Sequence, residues 1–141
     1  MKLKISTPVE VLFEGEVSRV ELPTENGTVA IEAGHVPMVI SIKPGLISIR
    51  TQQIYMQPDS KSCISTSKGM AFVDGKIIRI VSADATVNPN EDTDTLLEIR
   101  QDLEHKIALL KTEGSIEEIE KAMVKLEKIN ADIVLKKMNN A

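Results

Sequence analysis

The hydrophobic period of this 141-residue chain changes once, near residue 90, and that change limits what it can fold into. Before it, apolar residues recur at every second position. Leu3 and Ile5 begin the pattern, followed by Val9, Val11 and Phe13, then Val20 and Leu22, Val29 and Ile31, and Met38, Ile40 and Ile42. Leu46 to Arg50, Ile54 to Met56, Ala71 to Val73 and Ile77 to Val81 continue it. Alternation of this kind marks strands with one buried face. Asn26-Gly27, Pro44-Gly45 and Asp74-Gly75 break the runs with turn chemistry. Many short strands, with a turn about every eight to twelve residues, predict an all-β sandwich or barrel.

Asn88-Pro89-Asn90-Glu91-Asp92 is polar, holds a proline and carries no periodic apolar residue, so it reads as a linker over 88–92. Beyond it the apolar spacing becomes three and four. Leu96, Ile99, Leu103, Ile107 and Leu110 fall on one helical face, with Asp92, Thr93 or Asp94 as the N-cap. The spacing predicts a helix ending near Thr112, with Gly114 allowing reversal. Ser115-Ile116-Glu117-Glu118 fits a capping box, and Ile119, Ala122, Leu126, Ile129 and Ile133 form the second stripe. So short a connection predicts an antiparallel pair. The expected fold is α+β: residues 1–87 an all-β sandwich of about ten short strands, 88–92 a linker, and 93–141 a two-helix hairpin. Each stripe is narrow, fit to zip to the other, to rest on the sandwich, or to separate and bind elsewhere.

Composition removes several functions. The only aromatics are Phe13, Tyr55 and Phe72, too few for a base-stacking surface, and the net charge of −4 gives no basic footprint for nucleic acid. The one cysteine, Cys63, excludes an intrachain disulfide and reads as a small hydrophobe rather than a reactive thiol. No apolar run approaches a membrane span, so membrane contact is expected only through a partner. The amino terminus alternates like a first strand and lacks the core of a signal peptide. His35 and His105 are the only histidines, and no metal-ligand spacing, phosphate loop, dinucleotide fingerprint or nucleophile elbow occurs. Most carboxylates share helix surfaces with lysines, where solvation is expected. No catalytic residue, metal or cofactor is expected.

Charge is sorted along the helical segment. Residues 91–120 hold ten acids and three bases, whereas 121–141 hold five bases and two acids. Acid at the start and base at the end of a helix suit its macrodipole and need no partner. The alternative is that Lys121, Lys125, Lys128, Lys136 and Lys137 meet an acidic surface on a larger subunit. The densest turn chemistry lies in Glu25-Asn26-Gly27-Thr28 and in Gly34-His35-Val36-Pro37-Met38. There Pro37 restricts the residue before it to extended geometry, and His35 reads as a turn-capping ring rather than a ligand.

Taken together, residues 25–45 resemble the Gly-His-x-Pro signature of the epsilon-subunit family of F-type ATP synthases, the counterpart of the mitochondrial delta subunit. Gly27, Gly34, His35, Pro37 and Lys43-Pro44-Gly45 match, while Ala30, Ala33 and Met38 replace a Gly, a Pro and a Leu. Thr7-Pro8 through Phe13-Glu14-Gly15-Glu16-Val17 resembles the family's opening, and the resemblance spans the whole chain. It implies a non-catalytic rotor subunit. One sandwich face would pack on the gamma subunit, with His35, Pro37 and Met38 at that interface. The loop Glu25, Asn26, Gly27, Thr28 would meet the c-ring, although Thr28 replaces the loop's usual second acid. The hairpin would reach the alpha/beta catalytic head and inhibit hydrolysis. The location implied is the cytoplasmic face of a bacterial inner membrane, with a plastid thylakoid as the alternative.

Other readings are a carbohydrate- or peptide-binding sandwich that dimerises through its helices, and a small hydrolase for which no nucleophile–base pair can be named. Some relatives bind ATP through a Leu-Asp-x-x-Arg-Ala motif. Here Leu96-Leu97-Glu98-Ile99-Arg100-Gln101 keeps only Arg100 of its charged pair. Calorimetry of the isolated chain is therefore expected to show no ATP binding tighter than millimolar, and tighter binding would contradict this reading.

Overall fold

The computed structural model describes residues 1–51, 60–87, 89 and 91–139. Ile54 to Met56, and Asn88 and Asn90 of the linker, lie outside the described residues. Ten strands form two sheets. The first contains β1 (Lys2–Ser6), β2 (Val11–Glu16), β5 (Met38–Ile42), β8 (Gly69–Val73) and β9 (Ile77–Ser82), ordered β2-β1-β9-β8-β5. The second contains β3 (Arg19–Thr24), β4 (Gly27–Glu32), β6 (Gly45–Thr51), β7 (Ser60–Thr66) and β10 (Ala85–Thr86), ordered β10-β7-β6-β3-β4. Among the described strands, only β1 and β9 pair in parallel.

The sheets enclose an aliphatic core. Leu3, Ile5, Val20, Leu22, Ile47, Ile49, Ile78 and Ile80 are fully buried, and each occupies the inward phase of its strand. Burying one such side chain contributes about 1.5–3 kcal/mol, and that sum offsets the ordering of the chain.

The Val9, Val11, Phe13 alternation is corrected. Val9 lies in a turn, where the Thr7 hydroxyl accepts from the Val9 and Glu10 amides, and its side chain is 88% exposed. Ile5 pairs with Phe13 but Ser6 with Val11, so one extra residue bulges out of β2 and shifts its phase. Val11 consequently points to solvent, and Leu12 and Phe13 pack against the core instead.

Helix α1 spans Thr93–Glu113 and α2 spans Ile116–Asn139. The Asp92 carboxylate caps α1 by accepting from the Thr95 amide at 2.8 Å, and the Ser115 hydroxyl accepts from the Glu118 amide at 3.2 Å at the start of α2. Gly114 is extended (φ −95°, ψ 168°), not left-handed. Glycine is needed there because a Cβ would come within 2.6 Å of Leu110 Cδ2 and 2.9 Å of its carbonyl oxygen. The helices pack against each other, and α2 lies against β7 and β6 of the second sheet.

Hydrogen bonds from Thr95, its side chain first and then its amide, hold the Asp92 carboxyl below its ordinary value of 3.8. Such a group contributes its full stability above the unfolded value and loses it as pH falls through the lowered folded value. The amino-terminal turn of α1 is therefore expected to lose hydrogen-exchange protection as pH falls below 3.8. Asp92→Asn, which caps without ionising, should remove that dependence.

Candidate docking surfaces

A strand that buries one set of side chains turns the alternate set outward. The two outer faces of this sandwich differ in chemistry. On the first sheet, Val39 pairs with Phe72, and Met70 pairs with Val81. All four lie outside the core, from 39% exposed at Met70 to 58% at Val39. Phe72 is also paired with Arg79, and Arg79 with Lys4, so basic side chains flank the apolar patch. Four adjacent large apolar side chains held open to solvent on one sheet face mark a candidate interaction surface.

The loop of residues 33–37 leads into β5 at the edge of this sheet. Gly34 (φ 83°) takes the left-handed conformation that favours glycine and donates its amide to the Gly75 carbonyl at 3.1 Å. That bond ties the loop to the β8–β9 turn. The Asp74 carboxyl beside it is lowered by hydrogen bonds from the Lys76 and Ile77 amides. His35 is half-buried, and its Nδ1–H donates to the Val36 carbonyl at 2.9 Å. Met38 is 39% exposed, although it shares the inward phase of Ile40 and Ile42, because it opens an edge strand. Val36 is 72% exposed and Pro37 is exposed.

Glu25, Asn26, Gly27 and Thr28 form the β3–β4 turn at the opposite end of the sandwich. Gly27 has φ 105°, and Thr24 closes the turn by donating to its carbonyl at 2.5 Å. Glu25 borders a shallow cavity of about 410 Å³ shared with Lys43, Lys68 and Met70. The loop with the notable glycines thus supplies two separate ends of the molecule, not one site.

On the outer face of the second sheet, α2 lies over β6 and β7, where Leu46 stands opposite Ser65 among small polar residues. Ser48 and Cys63 lie side by side on this face, Oγ to Sγ 3.6 Å, and Ser65 is fully buried. Lys128 is corrected here. Sequence placed it among solvated helix lysines, but it is 7% exposed, and Asp132 is 8% exposed. Lys128 Nζ donates to Asp132 at 2.8 and 3.1 Å and to the Thr86 hydroxyl at 3.1 Å, while the Ser65 hydroxyl donates to Asp132. Lys136 donates to the Pro89 carbonyl at 3.2 Å. Lys121, Lys125 and Lys137 remain exposed. Arg100 lies 4.0 Å from Glu104 on the same helix, half-exposed. A cavity of about 740 Å³ opens between the helices and the β7–β8 turn, walled by Ile99, Leu103, Val124 and Ile129.

Sequence reasoning missed the apolar patch. The signal was present in Met38-Val39-Ile40, Met70-Ala71-Phe72-Val73 and Ile77 to Val81, where apolar residues occupy both phases of a strand. Such runs belong to strands covered on both sides.

The family model for the β-sandwich domain of the ATP synthase delta/epsilon chain matches residues 1–88. The chain is 30% identical over 105 residues to the ATP synthase epsilon chain of Rickettsia felis, covering 72% of this chain and 91% of the relative. It is 27% identical over 131 residues to that of Gloeobacter violaceus, covering 93% and 92%. Its fold superposes with a TM-score of 0.73 on a chain of the Euglena gracilis mitochondrial ATP synthase OSCP/F1/c-ring structure. That match is 18% identical and covers 92% of this chain and 76% of the other.

The uncovered patch has a solution consequence. The isolated chain should bind a hydrophobic fluorescent dye, and the double variant Val39→Ser, Phe72→Ser should lose that binding. Its unfolding free energy should change by no more than about 1 kcal/mol, because surface substitutions each stay within about 0.5 kcal/mol.

Proposed function

The chain belongs to the delta/epsilon family of ATP synthase central-stalk subunits, and from that premise we propose how each surface serves the rotor. The observation that carries the reading is the uncovered Val39, Phe72, Met70 and Val81 patch, on the sheet opposite the one the hairpin covers. This patch, with His35, Pro37 and Met38 at its edge, is the gamma-subunit docking face. Apolar centres with a charged rim are the usual composition of such interfaces. The Glu25 to Thr28 turn at the far end contacts the polar loops of the c-ring. The subunit is not itself catalytic. It couples ring rotation to ATP synthesis through gamma, and it sits as a peripheral subunit on the cytoplasmic face of a bacterial inner membrane. Among the described residues no helix is long and apolar enough to cross a membrane.

Residues 1–87 are the docking module, 88–92 the link and 93–141 the regulatory hairpin. In this reading the hairpin inhibits ATP hydrolysis when it leaves the sandwich and offers Lys121, Lys125, Lys128, Lys136 and Lys137 to the alpha/beta head. Docking occupies two of these five: Lys128 is held by Asp132 and Thr86, and Lys136 by Pro89. The docked form is accordingly the weaker inhibitor. No cofactor is assigned, and Arg100 beside Glu104 gives at most a weak contact to ATP.

Co-purification with the gamma subunit tests the docking face. Val39→Asp with Phe72→Asp should weaken gamma binding by roughly a hundredfold or more, since buried interface anchors commonly contribute about 2 kcal/mol each. Unchanged binding would place the interface elsewhere. Removing residues from Glu91 onward should leave assembly intact and raise ATP hydrolysis by the complex, and unchanged hydrolysis would remove the inhibitory role.

A further inference from the structure

Most of the interior of this protein is aliphatic, but the contact between α2 and β7 is built around an ion pair. Lys128 and Asp132 are both less than a tenth exposed. They stand one turn apart on the same helix, with Nζ 2.8 Å from Oδ1. Three polar groups of the sandwich reach them. The Ser65 hydroxyl donates to Asp132, the Thr86 hydroxyl accepts from Lys128, and the Asp84 carboxylate lies 4.0 Å from Nζ.

This geometry has a particular energetic sign. Because both charges ride on α2, lifting the helix away does not separate them. Lifting exchanges the contacts to Ser65, Thr86 and Asp84 for water, and it returns two buried charges to solvent. Bringing such a pair out of water is expensive, and its mutual attraction recovers that cost only with good geometry and full hydrogen bonding. The hydroxyl bonds to the charged groups offset part of that cost. The pair therefore fixes where α2 sits while giving less holding strength than an apolar centre of the same volume.

The surroundings agree. Ser48, Cys63 and Ser65 line the covered sheet face, Ala131 is the small residue beside Asp132 on the helix, and the 740 Å³ cavity adjoins both charges. Ile133 and Leu135 supply the nearby apolar burial on α2. The other charged groups bordering that cavity are Lys68, Glu117, Glu120, Lys121 and Lys125, so the site opens toward solvent charge on its outer side.

We propose that the buried Lys128–Asp132 pair is a release device: it sets the register of the docked hairpin and keeps the docking reversible. This deepens the proposed function and rests on its premise that the hairpin leaves the sandwich, but not on what the released hairpin then does. Single and double replacements have opposite expected effects. Lys128→Met or Asp132→Leu alone leaves one buried charge without its partner and drives the hairpin off. Lys128→Met together with Asp132→Leu replaces the pair by apolar side chains and locks the hairpin down.

The experiment is amide hydrogen exchange of residues 126–135 in the isolated full-length chain, with β1 and β9 as an internal control for the fold. Each single variant should exchange faster than wild type, on the order of tenfold, and the double variant slower by a similar factor. A double variant as fast as the singles would show that the pair is a fastener and overturn the proposal. Singles indistinguishable from wild type would overturn it as well.

Discussion

A two-sheet sandwich has one inner core but two outer faces, and every role of this chain depends on how those faces are composed. The inner phase is filled by Leu3, Ile5, Val20, Leu22, Ile47, Ile49, Ile78 and Ile80 with no aromatic among them. That core fixes the strand register, and the register fixes which side chains turn outward. On the second sheet the outward set under α2 is Ser48, Cys63 and Ser65 with Leu46 beside them, and beyond α2 it is the charged Arg19, Glu21 and Glu32. On the first it includes Val39, Phe72, Met70 and Val81, exposed among the described residues and flanked by Lys4 and Arg79. The fold thus places the chain's own helix on part of one face and leaves an apolar patch exposed on the other. An apolar face suits an obligate partner, and a polar face suits an element that must come away.

The hairpin follows the same logic at smaller scale. Its stripes are satisfied mainly by each other, and the cavity of about 740 Å³ leaves Ile99, Leu103, Val124 and Ile129 incompletely packed against the sandwich. The capping at Asp92 and Ser115 stabilises each helix locally, independent of the sheet beneath. Helices with their own caps and their own partner face need little from the sheet. The Lys136 bond to Pro89 and the Lys128 cluster add polar contacts beside the buried Ala131, Ile133 and Leu135 of α2.

Much of this was legible in the sequence, for physical reasons that differ from residue to residue. Period 2 gave the strand interiors correctly at Leu3, Ile5, Ile78 and Ile80, because burial on one face leaves no other arrangement. It failed at Val9, which lies in a turn closed by Thr7, and at Val11, where a bulge changes the phase. Gly114 was recognised as the reversal but for the wrong reason, since contact with Leu110 rather than a left-handed backbone excludes a side chain there. Of the surfaces, the turns at Glu25–Thr28 and Gly34–Met38 were visible because glycine and proline punctuate them. The apolar patch was overlooked because single alternation was assumed in runs where both phases are apolar. Burial of Lys128 was not readable at all. Nothing in a helix sequence distinguishes an i,i+4 lysine–aspartate pair in water from one pressed against Ser65.

The most direct test of the account is oxidative footprinting of the chain, free and then assembled into the synthase. Met70 and Phe72, on the uncovered sheet, should be reactive in the free chain and become protected on assembly. Met70 is 39% exposed and Phe72 43% exposed in the chain alone, so there is reactivity to lose. If both stay as reactive in the complex as in the free chain, the first sheet is not the docking face, and the division of labour between the two faces is wrong.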